Sequence, residues 1–547
     1  MLKRYFHTIK HLRLEQIYFR LYYLLRKPII VRSLQIPTVQ SWLKPWAAPK
    51  YIAPKLSCEG VFCSLQQSGN IHDPTVWCDT QYSQLWLYHL HYFDACNAKD
   101  AVSNEPILTV YVEKWIQHNL PISTPAWDPY PISLRVINWI TWFATRSVPP
   151  KQHWIESLVL QADILMQRIE YHIQANHLFV NGKALIFLGS YFSGSQADCW
   201  LHKGLTILDR EIKEQFLSDG GHFELSPMYH ALLLWDLCDI CNLARHVSSA
   251  ALQQRVPHLR QVITQGLAWL SQMSHPDGDI AFFNDATFEA APTLRDLQDY
   301  MEVLGWVQPE KVDTSFVVYH LQDSGFVVAN LPSEGKAILD VGQLGAVYQP
   351  GHAHADTLSF ELSLYGQRFF VNSGISEYGI SPLRTWQRGT QAHNTVCIND
   401  TPSSEIWSGF RVAQRAEPVA FSMDADEDSH RVACGHNGYM KGPHPVTHHR
   451  IWTMTSNTME ILDRIDGRYH SCKAYFYFHP DVRIMEKGAQ EFECTVATRT
   501  VRLVFDGATE IHEKIVSWYP AFGKAVPNRC LIVTFHDHRL ETKILWM

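Results

Sequence analysis

The chain has 547 residues, of which 46% are hydrophobic and 18% are charged. This composition excludes intrinsic disorder. The chain is too long to fold around a single hydrophobic core, so two or more domains are expected. The formal net charge of −7 excludes a global basic field that would recruit nucleic acid, so an anionic ligand needs a local basic cleft.

Residues 1–82 are predicted to form an N-terminal helix followed by an irregular extension. Apolar residues recur at helical spacing in 12–26, with Arg and Lys interspersed. This pattern is typical of a surface helix docked on a domain or of a helix on a membrane surface, and we favour the docked helix. Residues 1–31 lack the continuous apolar core and the cleavage site of a secretory signal. The sequence contains no run of about 18 apolar residues, so we expect no membrane-spanning helix.

Twelve cysteines are scattered along the chain at irregular spacing. A chain of this size does not need disulfides to stabilise it, so irregular cysteines indicate reduced thiols. Together with the missing secretory signal, this pattern predicts a cytoplasmic protein.

The second region, 83–315, is predicted to be helical. Pro- and Gly-containing connections such as VPPK and SDGG separate its segments, which predicts helical hairpins stacked into an all-α layer or toroid. The segments with apolar residues at three- and four-residue spacing are 108–118, 134–146, 153–173, 178–192, 203–217, 228–247, 251–273 and 293–305.

The third region, 316–547, contains short β-rich runs such as LSFELSL, KAYFYFHP and CLIVTFH, divided by Gly, Asp and Asn turns. This pattern predicts an antiparallel β-sandwich. The fold class is therefore α+β multidomain, with a boundary near 315. Because ligand sites often lie between domains, we expect the functional cleft there.

Four polar clusters carry groups that can transfer protons or bind a metal ion. Each one alone has an ordinary structural interpretation, such as a helix cap, a packed tyrosine or polar residues on the wet face of a sheet. The clusters are QANHLFVNG at 174–182, DGGHFELSPMYHALLLWDL at 219–237, GHAHAD at 351–356 and RTWQRGTQAHNTVCIND at 384–400.

In this order, the four clusters resemble the motifs of the heparinase II/III-like polysaccharide lyase family. The resemblance covers roughly residues 85–480 and includes WDPYPISLRVINW at 127–139 and the run 388–415. It implies an N-terminal (α/α) toroid followed by an antiparallel β-sandwich, with the active cleft between them. It also implies cleavage of a uronic-acid-containing anionic polysaccharide.

Cleavage of such a glycan by β-elimination requires three groups. A donor or cation must neutralise the uronate carboxylate, a base must remove the C5 proton, and an acid must protonate the O4 leaving group. The resemblance implies that Asn176 and His177 neutralise the carboxylate, that Tyr229 is the base, the acid or both, and that His352 is its partner. A tyrosine base needs a neighbouring cationic or hydrogen-bonding group, because its usual pKa is near 10.

The resemblance further implies residues that bind the sugar and residues that hold a structural zinc ion. The metal ligands are His354, Asn372 and His393, with Asp356 as a supporting group. An amide at 372 is a poorer zinc ligand than the Asp that the family usually has, so zinc stays open, and no organic cofactor is expected. The expected substrate contacts are Trp127, Arg135, Asn138, His222, Glu224 and Arg388.

Three alternatives remain beside the lyase. A uronyl C5-epimerase needs the same proton abstraction, and a cytoplasmic enzyme suits capsule or exopolysaccharide production. A non-catalytic glycan-binding protein could keep the fold, and a metal-dependent hydrolase is the weakest reading because no carboxylate pair or HExxH motif is evident. The sequence determines neither the glycan, with a glycosaminoglycan or alginate as candidates, nor the oligomeric state.

Overall fold

The computed structural model describes residues 2–30, 35–307, 316–440 and 445–546. The part before 308 is mainly helical and the part after 315 consists mainly of antiparallel strands, which confirms the predicted α+β class and its order. The predicted boundary between 315 and 316 borders residues 308–315, which lie outside the described residues.

The helical part begins with two short helices and continues as a series of helical hairpins. The α-helices within the described ranges are α1 (Leu2–Ile9), α2 (Leu14–Leu25), α3 (Gln84–Tyr92), α4 (Glu105–His118), α5 (Pro129–Phe143), α6 (Gln152–Gln167), α7 (Ala175–Tyr191), α8 (Ser195–Gln215), α9 (Pro227–Leu243), α10 (Ala250–Gln253), α11 (Val256–Gln272), α12 (Leu294–Val303) and α13 (Pro382–Gln387).

Helices α7 and α9 pack against each other and are almost entirely buried. Helix α9 begins where Ser226 accepts a hydrogen bond from the backbone N–H of Tyr229, and Pro227 follows at the first helical position. Both helices are apolar around most of their circumference, as expected for helices surrounded by others. Their N-terminal turns carry the NH and YH pairs of two polar motifs.

The β-rich part and the connections contain 23 strands within the described ranges. They are β1 (Thr38–Val39), β2 (Val61–Ser64), β3 (Gln67–Asn70), β4 (Phe192–Ser193), β5 (Val317–Leu321), β6 (Phe326–Leu331), β7 (Gly335–Asp340), β8 (Phe360–Leu364), β9 (Gln367–Phe370), β10 (Val396–Ile398), β11 (Ile406–Trp407), β12 (Arg411–Val412), β13 (Pro418–Ala425), β14 (His430–His436), β15 (Val446–Met454), β16 (Thr458–Gly467), β17 (Cys472–Tyr477), β18 (Arg483–Gly488), β19 (Glu491–Val496), β20 (Arg499–Asp506), β21 (Glu510–Trp518), β22 (Val526–Thr534) and β23 (Arg539–Trp546).

Three antiparallel sheets of four or more strands build most of the C-terminal part, beside the two-stranded sheet β11-β12. Their strand orders are β5-β6-β7-β8-β9, β10-β17-β22-β21 and β13-β14-β15-β16-β23-β20-β19-β18. Alternate residues of β15 are buried and half-buried, as expected for a strand with one face on the core. Buried residues of all three sheets, including Leu339, Trp452 and Phe476, form one apolar core.

The prediction of an irregular extension within residues 1–82 misses a small hairpin formed by β2 and β3. The turn residues Leu65 and Gln66 both adopt left-handed conformations, with φ of 51° and 59°. Such turns usually carry Asn-Gly or Asp-Gly, so the local sequence holds no signal for this one.

A separate apolar cluster joins the helical part to the five-stranded sheet. Leu225, Trp269 and Phe283 pack there with Phe326 and Ile338. This contact holds the loop before α9 and the FFNDAT segment at 282–287 against the β-rich part. Two motifs that are distant in sequence therefore meet at the seam between the two parts.

Candidate active site

Tyr229 and His352 meet at this seam. The centroids of their rings are 4.0 Å apart, with an angle of 34° between the ring planes. Tyr229 comes from the first turn of α9, whereas His352 comes from the loop that precedes β8. The predicted pairing of a tyrosine and a histidine across the two parts is present in the structure.

A buried carboxylate, Asp285, organises the histidines. It lies 2.8 Å from Nδ1 of His352 and 2.8 Å from Nε2 of His354. The Arg384 guanidinium donates two hydrogen bonds to the same carboxylate, at 2.5 and 2.6 Å. Burial alone would raise the pKa of Asp285, but Arg384 and the two imidazoles hold it well below its usual range.

The contact with Asp285 sets the tautomer of the neutral His352 ring. An ionised carboxylate only accepts hydrogen bonds, so Nδ1 carries the proton and donates it to Asp285. Nε2 then keeps a free lone pair and lies 3.8 Å from an oxygen of Glu224. This arrangement leaves His352 able to accept a proton at Nε2.

The hydroxyl of Tyr229 lies 2.9 Å from the hydroxyl of Tyr378. Burial raises the pKa of Tyr229 well above 10, and the neighbouring Tyr378 and the charge of Asp285 raise it further. Tyr229 is therefore a neutral phenol that can donate a proton.

Asn176 and His177 lie in the first turn of α7. The two residues before them, Gln174 and Ala175, have left-handed backbone conformations with φ of 68° and 52°. Each such conformation costs about 1–3 kcal/mol in a non-glycine residue and is concentrated at functional sites. The turn that presents Asn176 is thus held in a strained conformation by its surroundings.

His177 pairs with a carboxylate beneath it. Its Nδ1 lies 3.0 Å from Glu170. Burial opposes the cationic form of His177, but the charge of Glu170 outweighs it and raises the pKa of the imidazole. His177 is consequently suited to face an anionic group.

Two polar residues of the 219–237 motif are fully enclosed. Neither carboxylate oxygen of Glu224 has a hydrogen-bond partner among the described residues, and burial raises the pKa of Glu224 despite the nearby His352. Such a group is unusual in a protein interior and indicates a place for a ligand. His222 is 0% exposed and contacts Gln215 through Nε2, so the structure shows a structural contact for it.

Three other predicted substrate contacts, Trp127, Arg135 and Arg388, have buried side chains that make structural contacts. Trp127 packs on another tryptophan and donates its indole N–H to a backbone carbonyl. Arg135 is 0% exposed, lies over the Trp115 ring and donates to Gln161. Arg388 donates to the backbone carbonyls of Pro350, Ala353 and Gly409, and so holds the GHAHAD loop in place.

Asn138 lies elsewhere in the helical part. Its amide donates to the backbone of Tyr92 and to Asp94. It lines a cavity of about 400 Å³ together with Lys183 and Asp236. The prediction that Asn138 contacts the substrate of the Tyr229 site finds no support in this placement.

His354 and two further buried residues form a potential metal site. Ligand atoms of His354, Asp356 and His393 all lie within 4.8 Å of one another. Both ring nitrogens of His393 and Nδ1 of His354 are buried and have no hydrogen-bond partner among the described residues. Burial raises the pKa of Asp356 to about 6. Orphaned imidazole nitrogens facing a carboxylate fit a Zn²⁺ ion.

The expected ligand Asn372 has another role in this structure. Its amide donates to the backbone carbonyl of Phe282 and accepts from the backbone N–H of Asn394. The carboxylate beside the two imidazoles is Asp356, which we expected only as a supporting group. The candidate ligand set that the geometry brings together is therefore His354, Asp356 and His393.

The sequence reasoning did not single out Asp285, Arg384 or Tyr378. Asp285 follows Asn284, which comes directly after the apolar pair FF in FFNDAT, and this polar pair after two apolar residues is the signal that the sequence offers. Arg384 and Tyr378 lie in the 372–388 connection, where no periodicity marks them. Their importance follows from their contacts alone.

Both parts of the chain match known protein families. Family models described as "Heparinase II/III N-terminus" and "Heparinase II/III-like, C-terminal" match residues 75–308 and 317–547. A heparin-sulfate lyase of Bacteroides stercoris is 27% identical over 254 residues, which are 42% of this chain and 36% of that protein. A heparin-sulfate lyase of Bacteroides thetaiotaomicron is 24% identical over 390 residues, 61% of this chain and 54% of that protein.

The matched regions thus span about half or less of the length of these curated relatives. Among solved structures, a crystal structure of heparinase III superposes with a TM-score of 0.70 at 16% identity, covering 97% of this chain and 89% of the other. The heparan sulfate lyase HepC of Pedobacter heparinus gives 0.59 at 17% identity, covering 97% and 87%. These superpositions show the fold, and the two family models together show that the chain belongs to the heparinase II/III-like family.

Proposed function

We propose that this protein is a polysaccharide lyase that cleaves a uronic-acid-containing anionic glycan by β-elimination. The observation that carries the proposal is the meeting of Tyr229 and His352 at the seam, 4.0 Å apart between ring centroids. One of these groups has a free acceptor nitrogen and the other a phenolic proton. An elimination at C5 and O4 requires such an acceptor and donor side by side.

In the proposed mechanism, Nε2 of His352 removes the C5 proton. Asp285 holds Nδ1 and stabilises the imidazolium that forms, as a carboxylate does behind a catalytic histidine. Arg384 donates two hydrogen bonds to Asp285 and so fixes that carboxylate in place behind the imidazole.

Tyr229 then donates its phenolic proton to the O4 leaving group. Its raised pKa keeps the hydroxyl protonated at neutral pH, so the structure favours the acid role over the base role. Tyr378, 2.9 Å away, orients the hydroxyl. After the product leaves, the His352 imidazolium gives the C5 proton to water and the Tyr229 phenolate takes one proton from water, so both groups return to their starting states. This assignment narrows the three possibilities that the sequence left open for Tyr229.

The uronate carboxylate is assigned to Asn176 and His177. The amide of Asn176 donates to one carboxylate oxygen, and His177, with its raised pKa, supplies positive charge. Donors of this kind stabilise the enolate that develops when the C5 proton leaves. Glu224, whose pKa is raised by burial, lies 3.8 Å from Nε2 of His352 and offers a further polar group at the site.

The proposed substrate class is a glycosaminoglycan of the heparin or heparan sulfate type. The names of the curated relatives, heparin-sulfate lyases, support this class.

The proposed domain organisation is a toroid domain at 83–315 and a β-sandwich domain at 316–547. The proposed location is the cytoplasm, which the irregular cysteine spacing supports.

A single assay in heavy water tests the function. The full chain is incubated with heparan sulfate, chondroitin sulfate and alginate, with His352→Ala as the matched inactive control. A lyase produces unsaturated ends with ultraviolet absorbance. Deuterium at C5 without that absorbance would establish an epimerase instead, and neither signal would mean that the protein only binds glycans.

We further propose that His354, Asp356 and His393 hold a structural Zn²⁺ ion beside the catalytic groups. When bound, the ion supplies positive charge that fixes the orientation of its ligands. His354 also contacts Asp285, so holding its ring in place steadies the carboxylate behind His352. The protein contributes three buried ligands whose atoms lie within 4.8 Å of one another.

Metal analysis distinguishes this ligand set from the one expected from the sequence. We expect about one zinc per chain in the purified protein and less than about a tenth of that in His393→Ala, because loss of one of three protein ligands removes most of the affinity. Asp356→Asn is expected to lose zinc, whereas Asn372→Ala is expected to keep it. Loss of zinc in Asn372→Ala with retention in Asp356→Asn would restore the original assignment.

A further inference from the structure

Helix α2 docks on the helical part through one face only. Gln16 is buried and donates to the backbone carbonyl of Ile173, and Tyr23 donates to that of Ile169. Glu15 forms two hydrogen bonds with Arg210, at 3.0 and 2.6 Å. This docked face is polar and aromatic. The prediction of a docked surface helix therefore accounts for this face of α2 but not for the opposite face.

The opposite face of α2 is apolar and lies in solvent. Its residues are Leu14, Tyr18, Leu21, Leu24 and Leu25, with exposed fractions of 85%, 59%, 58%, 79% and 89%. At 100° per residue these positions form one continuous arc of about 120°. A docked helix normally buries its leucines and exposes its polar face, so here the usual arrangement is inverted.

Helix α1 shows the same inversion. Tyr5 and Thr8 turn inward to Trp407, whose ring centroid lies 5.1 Å from that of Tyr5 and whose indole N–H donates to Thr8. Leu2 and Phe6 point outward, with exposed fractions of 88% and 65%. Two successive helices therefore present apolar surface away from the protein.

The charge of this segment opposes that of the whole chain. Residues 2–30 contain seven Lys or Arg side chains and one acidic side chain, Glu15, whereas the complete chain carries −7. Lys3, Lys10 and Lys27 occupy exposed positions among the outward apolar residues. Exposed leucines flanked by basic residues complement an interface that is apolar beneath an anionic surface.

We propose that residues 2–30 form a docking surface for a membrane that contains anionic lipids. Helix α2 has 12 residues and is about 18 Å long, and no helix within the described residues meets the length and apolarity needed to cross a bilayer. The helices therefore lie in the plane of the lipid headgroups, with the leucines inserted and the lysines at the phosphates.

Charge and apolarity together favour lipid over two other occupants. A second copy of the chain would bring two segments of the same positive charge together, which is unfavourable. A sulfated glycan would pair with the basic residues but would leave the leucines in water. An anionic bilayer satisfies both kinds of side chain at once.

Sedimentation of the full chain with vesicles tests the proposal. We expect binding to vesicles of phosphatidylcholine and phosphatidylglycerol at a 7:3 ratio, weak binding to phosphatidylcholine alone, and a decrease with added salt. Lys3→Gln/Lys10→Gln/Lys27→Gln is expected to weaken binding roughly a hundredfold, since each basic residue near the surface contributes about fivefold. Leu21→Gln/Leu25→Gln is expected to weaken binding as well.

A matched control removes exposed apolar side chains elsewhere. Val102→Gln/Ile380→Gln changes residues that are 82% and 84% exposed and is expected to bind vesicles like the unaltered chain. Absence of vesicle binding would overturn the proposal. So would a leucine-dependent increase in molar mass in light scattering without vesicles, or vesicle binding that only the lysine variant weakens, because these results indicate self-association or a purely ionic contact.

Discussion

Tyr229→Phe is expected to lower kcat by about 10³ while the free energy of unfolding changes by only about 1 kcal/mol. The substitution removes the proton donor for O4 and keeps the ring that packs on His352. The hydroxyl makes one hydrogen bond among those described for its side chain, to Tyr378, so little stability depends on it. Steady-state turnover on the cleaved glycan and urea unfolding measure the two quantities.

Tyr378→Phe is the matched control, because it removes the same hydrogen bond from the other side. We expect it to reduce kcat by about tenfold or less, since Tyr229 keeps its own proton. Full activity in Tyr229→Phe would contradict the acid role. An equal loss in both variants would show that the two hydroxyls act as one donor.

Asp285→Asn is expected to lower kcat by about 10²–10⁴ and to destabilise the protein by about 3–5 kcal/mol. The amide cannot accept from both imidazoles and from Arg384, so His352 loses the partner that sets its tautomer. Arg384, 0% exposed, keeps its charge without its carboxylate. Unfolding by urea and single-turnover kinetics measure the two effects separately.

The double variant Asp285→Asn/Arg384→Gln separates catalysis from stability. Removing both charges leaves no uncompensated buried ion, so the free energy of unfolding is expected to recover in part. The value of kcat is expected to stay low, because His352 still lacks an anionic acceptor at Nδ1. Recovery of kcat together with stability would mean that Asp285 has only a structural role.

The division into helical and β-rich parts could be predicted because periodicity is a local property. Apolar residues three and four apart mark most long helices, and α7 and α9 begin within three residues of the predicted segments 178–192 and 228–247. Runs of β-branched and aromatic residues mark the strands in the same way. The β2–β3 hairpin was missed because its Leu65-Gln66 turn has none of the residues that such turns usually contain.

The position of a residue in a family-like sequence run does not show whether its side chain is exposed or buried. Trp127, Arg135 and Arg388 lie in runs that resemble the family, yet all three are buried in structural contacts. A sequence run shows that a residue belongs to the fold's pattern but not whether its side chain faces a cleft or a core. That distinction depends on the neighbours that packing brings to it.

The sequence by itself determined the fold class, the family resemblance and the meeting of Tyr229 with His352, because local periodicity and ordered motifs carry that information. Only the tertiary structure decided that Asp285 lies behind His352, since it is 67 residues away in the chain, and that Asp356 replaces Asn372 beside His354. It also decided which face of α2 is exposed. Side-chain partners across long sequence separations are set by packing, and a single sequence does not record them.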